Sequence, residues 1–420
     1  MMSEKRVHVV LVPGFAGFDA LGQLEYYAGI TPLFRQWQNR RKARPVVLHY
    51  FDNFPTAAVS TRAARLRSYL AKRVARGEFS RGDTVALVGH STGGLDIRRL
   101  LSELSQADEP IPVDGGSGVE PSAILAMVNR VVFLSVPQWG TNIADWLTTH
   151  DLIHTVVIAE LRAMVEASQV PLVDRLQDSL AGAAAWLTDS DLMLAAQDAL
   201  NEADPRSCPH DPLRTALAQE AASELALWLR HMASDFSAIE DLAPHRRALE
   251  TDTFDTHHIQ TRSYATLGRP PFRFDPGQEA PRLDLLKPWT YPEITKDREL
   301  SQGTGLLYRA CYRACAGGPF AYPDDSGFEP VATELSSGKR RHIEIWDNDG
   351  IVNTASMLWP NGPETRLVEG DHADIIGHYR RVEAIEGRGR RYQAYDLLKS
   401  GTDFRATFEQ VWNGVFDFCL

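Results

Sequence analysis

The pentapeptide Gly89-His90-Ser91-Thr92-Gly93, followed by Gly94, has the form G-x-S-x-G. A serine in that setting can attack an acyl carbonyl if a base lies within hydrogen-bond reach and a carboxylate holds that base in the right tautomer. When such a serine stands at a strand-to-helix corner, its partners follow in the chain in the order acid, then histidine. Asp349, in Asn348-Asp349-Gly350, and His372, in a loop after Leu367-Val368, meet that order. Asp347 is an alternative acid, and His342 and His378 are alternative bases, because the chain carries 13 histidines.

The bare pentapeptide is a weak signal, and its flanks decide. Residues 84–88 are a short apolar run rich in β-branched side chains, and the residues after Ser91 place Ile97, Leu100, Leu101 and Leu104 on one side of a helix. The pattern reads as strand, sharp turn, helix. Glycines on both sides let strand and helix approach closely, so that Ser91 projects alone and the positive end of the helix faces the place where an oxyanion would form. Residues 6–12 read as an earlier strand, followed by the glycine-spaced loop Pro13-Gly14-Phe15-Ala16-Gly17-Phe18-Asp19. A loop after the first core strand can turn a backbone N–H toward the corner, and Phe15 is the candidate donor.

The elements that must position these residues alternate. Thr31-Pro32 opens a helix carrying Leu33, Phe34 and Trp37, residues 44–50 form a strand, and residues 56–76 form an amphipathic helix with Val59, Ala63, Leu66, Leu70 and Val74 at helical spacing. With a further strand at 131–136, the order implies an α/β fold, a mainly parallel sheet covered by helices on both faces. From 143 to 249 the pattern is almost wholly helical, with one stripe through Ile153, Val157, Leu161 and Val165 and another through Leu213, Leu217, Ala221, Leu225, Trp228 and Met232. A strand returns at 257–267, and a closing helix, capped by Asp403, puts Phe404, Phe408, Val411 and Val415 on one face. The expected division is a core at 1–140, a helical cap or lid at 141–250, and a second core segment at 251–420 with a Pro/Gly-rich excursion at 268–337.

Composition narrows the class. The 420 residues are 44% hydrophobic and 24% charged with a formal net charge of −11, and no sustained basic face exists, which argues against a nucleic-acid partner. No apolar run approaches the roughly 20 residues needed to cross a bilayer. The N-terminal residues have no charged head, apolar middle and small-residue cleavage site, so the cytoplasm is the expected compartment. The four cysteines are too scattered for a disulfide scaffold, and Cys311 and Cys315 read as buried thiols on one helix face.

Together, Gly14-Phe15-Ala16-Gly17, Leu21-Gly22, Tyr26-Tyr27-Ala28-Gly29, the Ser91 motif, Asn348-Asp349-Gly350-Ile351-Val352-Asn353-Thr354 and His372-Ala373-Asp374-Ile375-Ile376-Gly377 resemble the true bacterial lipases of the α/β-hydrolase superfamily. The nearest likeness is to the thermoalkalophilic branch with a large helical lid. The resemblance implies the α/β-hydrolase fold and ester hydrolysis, with Ser91 as nucleophile, Asp349 as orienting acid, His372 as base, and Phe15 and Thr92 as oxyanion donors. It also implies a small-molecule or lipid ester as substrate and interfacial contact through the helical insertion.

Some positions depart from the family. Pro13-Gly14 stands where the family has His-Gly. Residues 76–84 are short and contain no histidine, so the family's zinc is not expected. The family's structural calcium takes an acidic residue two positions after the histidine, where Asp374 fits, with Asp324 or Asp325 as upstream ligands. A further aspartate is replaced by Tyr379, which leaves calcium and an empty loop both open. No cofactor is required for the chemistry. On the same residues, an intracellular acyltransferase or thioesterase is the alternative, and a non-catalytic hydrolase-like binding protein has against it the intact serine, acid and histidine. The sequence is silent on oligomeric state.

Overall fold

The computed structural model describes residues 5–21, 23–41, 44–115, 118–149, 191–204, 212–247, 258–272, 303–317, 329–359, 365–386 and 391–420. Its frame is an eight-stranded sheet. The strands are β1 (Val7–Val12), β4 (Val46–Tyr50), β5 (Thr84–His90), β6 (Val128–Leu134), β7 (Gln260–Leu267), β8 (Val331–Glu334), β9 (Arg340–His342) and β10 (Thr365–Glu369), while β2 (Ala20–Leu21) and β3 (Leu24–Glu25) lie outside it. Their order is β4-β1-β5-β6-β7-β10-β8-β9, and every neighbouring pair is parallel except β8 with β9.

The mostly apolar strands β1, β5 and β6 are buried on both faces along most of their length, as a helix-covered parallel sheet requires. Alternate residues serve opposite layers. Val10, Val12, Val85, Leu87, Val131 and Phe133 pack under α2 (Val59–Ala75), α3 (Thr92–Gln106) and α4 (Pro121–Leu125). Val7, Val9, Leu11, Ala86, Val88, Val132 and Leu134 pack under α1 (Ile30–Arg40) and the closing helix, Arg405–Cys419. Phe404, Phe408, Val411 and Val415 are all buried there, with Trp412 at their centre. That helix starts at Arg405 rather than at the residue after Asp403, whose carboxylate accepts the Arg405 N–H at 3.4 Å.

Between β6 and β7 the described elements are all helices: α5 (Asn142–Thr149), α6 (Leu192–Ala203), α7 (Pro212–Ser234) and two single turns. The stripe from Ile153 to Val165 lies outside the described residues. On α7 the buried side differs from the expected stripe. Ala218, Ala221, Leu229 and Ala233 face inward and Leu217 is exposed, because α7 seats Ala221 against Leu200 and Ala203 of α6 and the small side chains take the close contact. After β7 come α8 (Leu306–Ala316), with Cys311 and Cys315 buried as thiols, then β8 to β10, and a small second sheet in the order β11-β12-β3-β2, with β11 at Tyr379–Glu386 and β12 at Arg391–Asp396.

The corner between β5 and α3 sits against the end of β1 with no room for a side chain. A Cβ on Gly93 would lie 2.4 Å from the Val12 carbonyl oxygen and 2.7 Å from that of Pro13, and one on Gly94 would strike Val136 at 2.2 Å. Gly93→Ala is therefore expected to lower unfolding free energy by roughly 1–3 kcal/mol, the usual cost of overpacking. Urea denaturation checks this, and an unchanged midpoint would show that the corner has slack.

Candidate active site

Ser91 joins β5 to α3 with φ 54° and ψ −132°, a backbone that costs a non-glycine residue of order 1–3 kcal/mol. The surroundings hold it there. The Ser91 N–H donates to the Leu134 carbonyl at 2.9 Å and its own carbonyl accepts the Gly94 N–H at 3.0 Å. Thr92 opens the helix, so its N–H is among those without an intrahelical acceptor.

Gly14 abuts the corner: a Cβ there would meet Ser91 Cβ at 2.6 Å. In the loop after β1, the Gly14 N–H donates to Tyr26 Oη at 2.8 Å and the Ala16 N–H to the Pro55 carbonyl at 2.8 Å, with Phe15 between them. Ala16 has a positive φ of 55°, so this loop too is held against its preference. Arg62 does much of the holding. It is fully buried on α2, donates to the carbonyls of Pro13 (2.8 Å), Gly14 (3.1 Å), Phe54 and Pro55, and pairs with Asp96 of α3 at 2.9 Å. Burial pushes the Asp96 carboxyl up to about 6, against the pull of Arg62 and the Asn53 amide. Its spacing from Val59 and Leu66 puts Arg62 on the buried side of α2.

Asp349 and His372 meet. His372 Nδ1 lies 2.7 Å from Asp349 Oδ2, and the His372 N–H donates to the Asp349 carbonyl at 3.1 Å. The Asp349 carboxylate is completely buried and well supplied with donors: Ile351 N–H at 3.0 Å and Val352 N–H at 2.8 Å on Oδ1, and Thr266 Oγ at 2.5 Å on Oδ2 beside the imidazole. Gly350, with φ 94°, lets the Asn348-Asp349-Gly350 turn close. The alternatives lie elsewhere. His342 ends β9 in an exposed position, His378 Nε2 faces the Glu25 carbonyl at 3.1 Å, and Asp347 accepts the N–H of Glu344. The imidazoles of His90 and His372 are 4.7 Å apart, which brings the Asp349–His372 pair next to the residue preceding Ser91.

Asp374 lies with Asp371, also buried, and the half-buried Asp396, each offering a carboxylate oxygen within 4.8 Å of the others. Burial pushes Asp371 up to about 6 and Asp396 to about 7, and burial with the adjacent Asp371 charge raises Asp374 well above the ordinary carboxylate range. An all-carboxylate oxygen set suits a hard divalent cation of the calcium kind. Asp324 and Asp325 lie outside the described residues. Tyr379 instead packs its ring on Phe404 and Phe408. Asp371 and Asp396 are not apparent as partners of Asp374 from sequence, because Asp396 arrives from the end of β12.

A serine at the C-terminal end of a central parallel strand, turning into a helix, with an acid and a histidine later in the chain, defines the α/β-hydrolase fold. No family model and no curated protein matches the chain. Among solved structures it is similar to lipase 1 from Pelosinus fermentans, with 18% identity, 90% of this chain and 94% of that one covered, and a TM-score of 0.45. It is also similar to the Staphylococcus hyicus lipase, with 16% identity, 89% of each chain covered and a TM-score of 0.45, and to a metagenomic carboxyl esterase, with 13% identity, 99% and 77% covered and a TM-score of 0.44. These likenesses are distant, and the functional reading rests on the site's own atoms.

Arg62 carries two orphanable carbonyls and a buried countercharge at once. Arg62→Met leaves Asp96 buried without its cation and is expected to cost about 3–5 kcal/mol. Arg65, whose pair with Asp52 is exposed, is expected to cost no more than about 1 kcal/mol when changed to alanine. Equilibrium denaturation of both variants checks the contrast; equal losses would remove the role assigned to Arg62.

Proposed function

We propose that the protein is a serine hydrolase of carboxylic esters. The observation that carries this reading is the buried Asp349–His372 hydrogen bond set beside a serine whose backbone is held in a left-handed conformation at a helix N-terminus. Asp349 keeps the proton of His372 on Nδ1, which leaves Nε2 as the base. Ser91 Oγ attacks the ester carbonyl as His372 takes the hydroxyl proton. The tetrahedral oxyanion is met by the N–H groups of Thr92 and Phe15, each worth about 3–4 kcal/mol of transition-state stabilisation. His372 then gives its proton to the leaving alkoxide, an acyl-enzyme remains, and water activated by the same histidine releases the acid and restores Ser91.

Residues 141–250 are proposed as a cover for this site. Their α7 touches the oxyanion loop directly, since Trp228 Nε1 donates to the Ala16 carbonyl at 3.2 Å and the Trp228 ring meets Phe18 edge-on. Phe236, just past α7, packs edge-on against Phe15. Among the described residues no helix is long and apolar enough to cross a membrane.

The first test is hydrolysis of p-nitrophenyl esters from short to long acyl chains, with emulsified triglyceride alongside. Ser91→Ala is expected to abolish turnover and fluorophosphonate labelling without altering the thermal midpoint. Full activity in that variant would refute the reading.

Calcium is proposed as a structural ion held by Asp371, Asp374 and Asp396; it would neutralise their charge and take no part in the chemistry. Without a cation, these raised carboxyls hold protons in the folded state that the unfolded chain releases. Stability from this source therefore falls as pH rises from about 4 through the values near 6 and 7 of Asp371 and Asp396. Calcium is expected to raise the thermal midpoint by a few degrees at about pH 8, little at about pH 5, and not at all in Asp374→Asn. A midpoint indifferent to calcium and chelator at the higher pH would exclude the ion.

A further inference from the structure

We infer that Tyr26 and His90 are positioning residues of the ester-hydrolysing site, forming one hydrogen-bonded bridge from the oxyanion loop to the backbone that carries His372. The inference rests on the ester-hydrolase reading and deepens it. The bridge runs from Gly14 N–H to Tyr26 Oη (2.8 Å), from Tyr26 Oη to His90 Nδ1 (2.7 Å), and from His90 Nε2 to the His372 carbonyl (3.0 Å). Both side chains are buried, at 8% and 2% exposure.

Every proton in the bridge is assignable. A carbonyl only accepts, so His90 Nε2 carries a hydrogen. Burial, reinforced by the nearby His372, holds His90 well below the usual imidazole range, so the ring is neutral and Nδ1 is bare. Tyr26 must then donate to Nδ1 while its oxygen accepts from Gly14. All the bonds run in one sense, the arrangement in which each polarises the next.

At the oxyanion end, the planar Gly14–Phe15 peptide fixes the Phe15 N–H opposite the Gly14 carbonyl. Arg62 (3.1 Å) and the Gly17 N–H (3.1 Å) hold that carbonyl, and Tyr26 holds the Gly14 N–H on the other side of the same residue. At the histidine end, His90 takes the His372 carbonyl while the Asp349 carbonyl takes the His372 N–H, so both backbone groups of the base are anchored. A neutral ring at 4.7 Å also leaves the imidazolium formed at His372 without a like charge beside it. The oxyanion donor and the base are thus referenced to each other through Tyr26 and His90.

The side chains allow the two ends to be cut separately. Tyr26→Phe keeps the ring and removes both of its bonds. His90→Gln keeps an N–H near the His372 carbonyl and loses the acceptor for Tyr26, whereas His90→Asn keeps that acceptor and loses the donor to His372. Tyr26→Phe is expected to lower kcat about tenfold to a hundredfold with KM nearly unchanged, and to weaken a trifluoromethyl ketone inhibitor, whose adduct places an oxyanion in the hole, by the same factor. His90→Asn is expected to lower kcat and shift the acidic limb of its pH profile, where His372 must lose its proton to act as base, and His90→Gln to restore that limb. Loss of kcat without a matching loss of ketone affinity in Tyr26→Phe, or identical pH profiles in the two His90 variants, would overturn the bridge; thermal midpoints separate either from simple misfolding. A wild-type protein that neither hydrolyses the esters nor labels with fluorophosphonate overturns the hydrolase reading and this inference with it, while an active wild type with unaffected variants overturns this inference alone.

Discussion

The backbone of Ser91 sits where a side-chain-bearing residue does not rest by itself, and much of the surrounding structure exists to keep it there. The left-handed corner needs strand and helix to close on each other, so Gly89, Gly93 and Gly94 are stacked where any Cβ would fall within 3 Å of a neighbouring atom. It also needs the end of β1 to pass directly over the helix start, which sets the Gly14 loop against Ser91. The central position of β5, paired to β1 on one side and β6 on the other, supplies the rigidity that opposes relaxation. The strain at one residue is offset by packing across three strands and two helices.

Charge is handled by the same economy of placement. A buried arginine is costly unless its donors are matched, and Arg62 meets carbonyls from two loops and the Asp96 carboxylate. The Asp349 carboxylate, with no exposure, is matched by backbone N–H groups, a threonine hydroxyl and the imidazole. His90, with nothing of opposite charge beside it, stays neutral. Among the described residues Asp371, Asp374 and Asp396 concentrate like charge, with Asp371 directly before His372 in the chain and Asp374 just after Ala373.

What the sequence makes legible follows from what is periodic or local. The runs of β1, β5 and β6, the helical spacing in residues 59–74 and the aromatic face of the closing helix are patterns over several turns, and each lies where burial on a covered sheet would put it. The elbow is legible because its glycines are contiguous with its serine. Asp349 and His372 stand in short turn sequences, but nothing local says which of several acids and histidines will meet; the long returns through α8 and β8 decide that. Arg62 and Asp96 are opaque for a different reason. A charge on an apolar face looks like an error until its partner, 34 residues away, is seen on the neighbouring helix. Tyr26 and His90 look like ordinary core aromatics because what sets them apart is hydrogen bonds between segments, which no spacing encodes.

The chain builds its site in two instalments. Ser91, the Gly14 loop and Arg62 belong to the first hundred residues, whereas Asp349 and His372 come after the helical insertion and the excursion that follows β7. Sheet pairing of β5 with β6 and β6 with β7 brings the instalments to the same edge, but a sheet fixes strands, not loops beyond their ends. A displacement of about 1 Å between a nucleophile and its base is enough to cost two orders of magnitude in rate, so loops from separate instalments need a direct tie. The hydrogen bond from His90 to the His372 carbonyl spans 282 residues of sequence and lies next to both Ser91 and His372. A tie at that point transmits less error than one placed further out, because only the His90 ring stands between the backbone next to Ser91 and the backbone of His372.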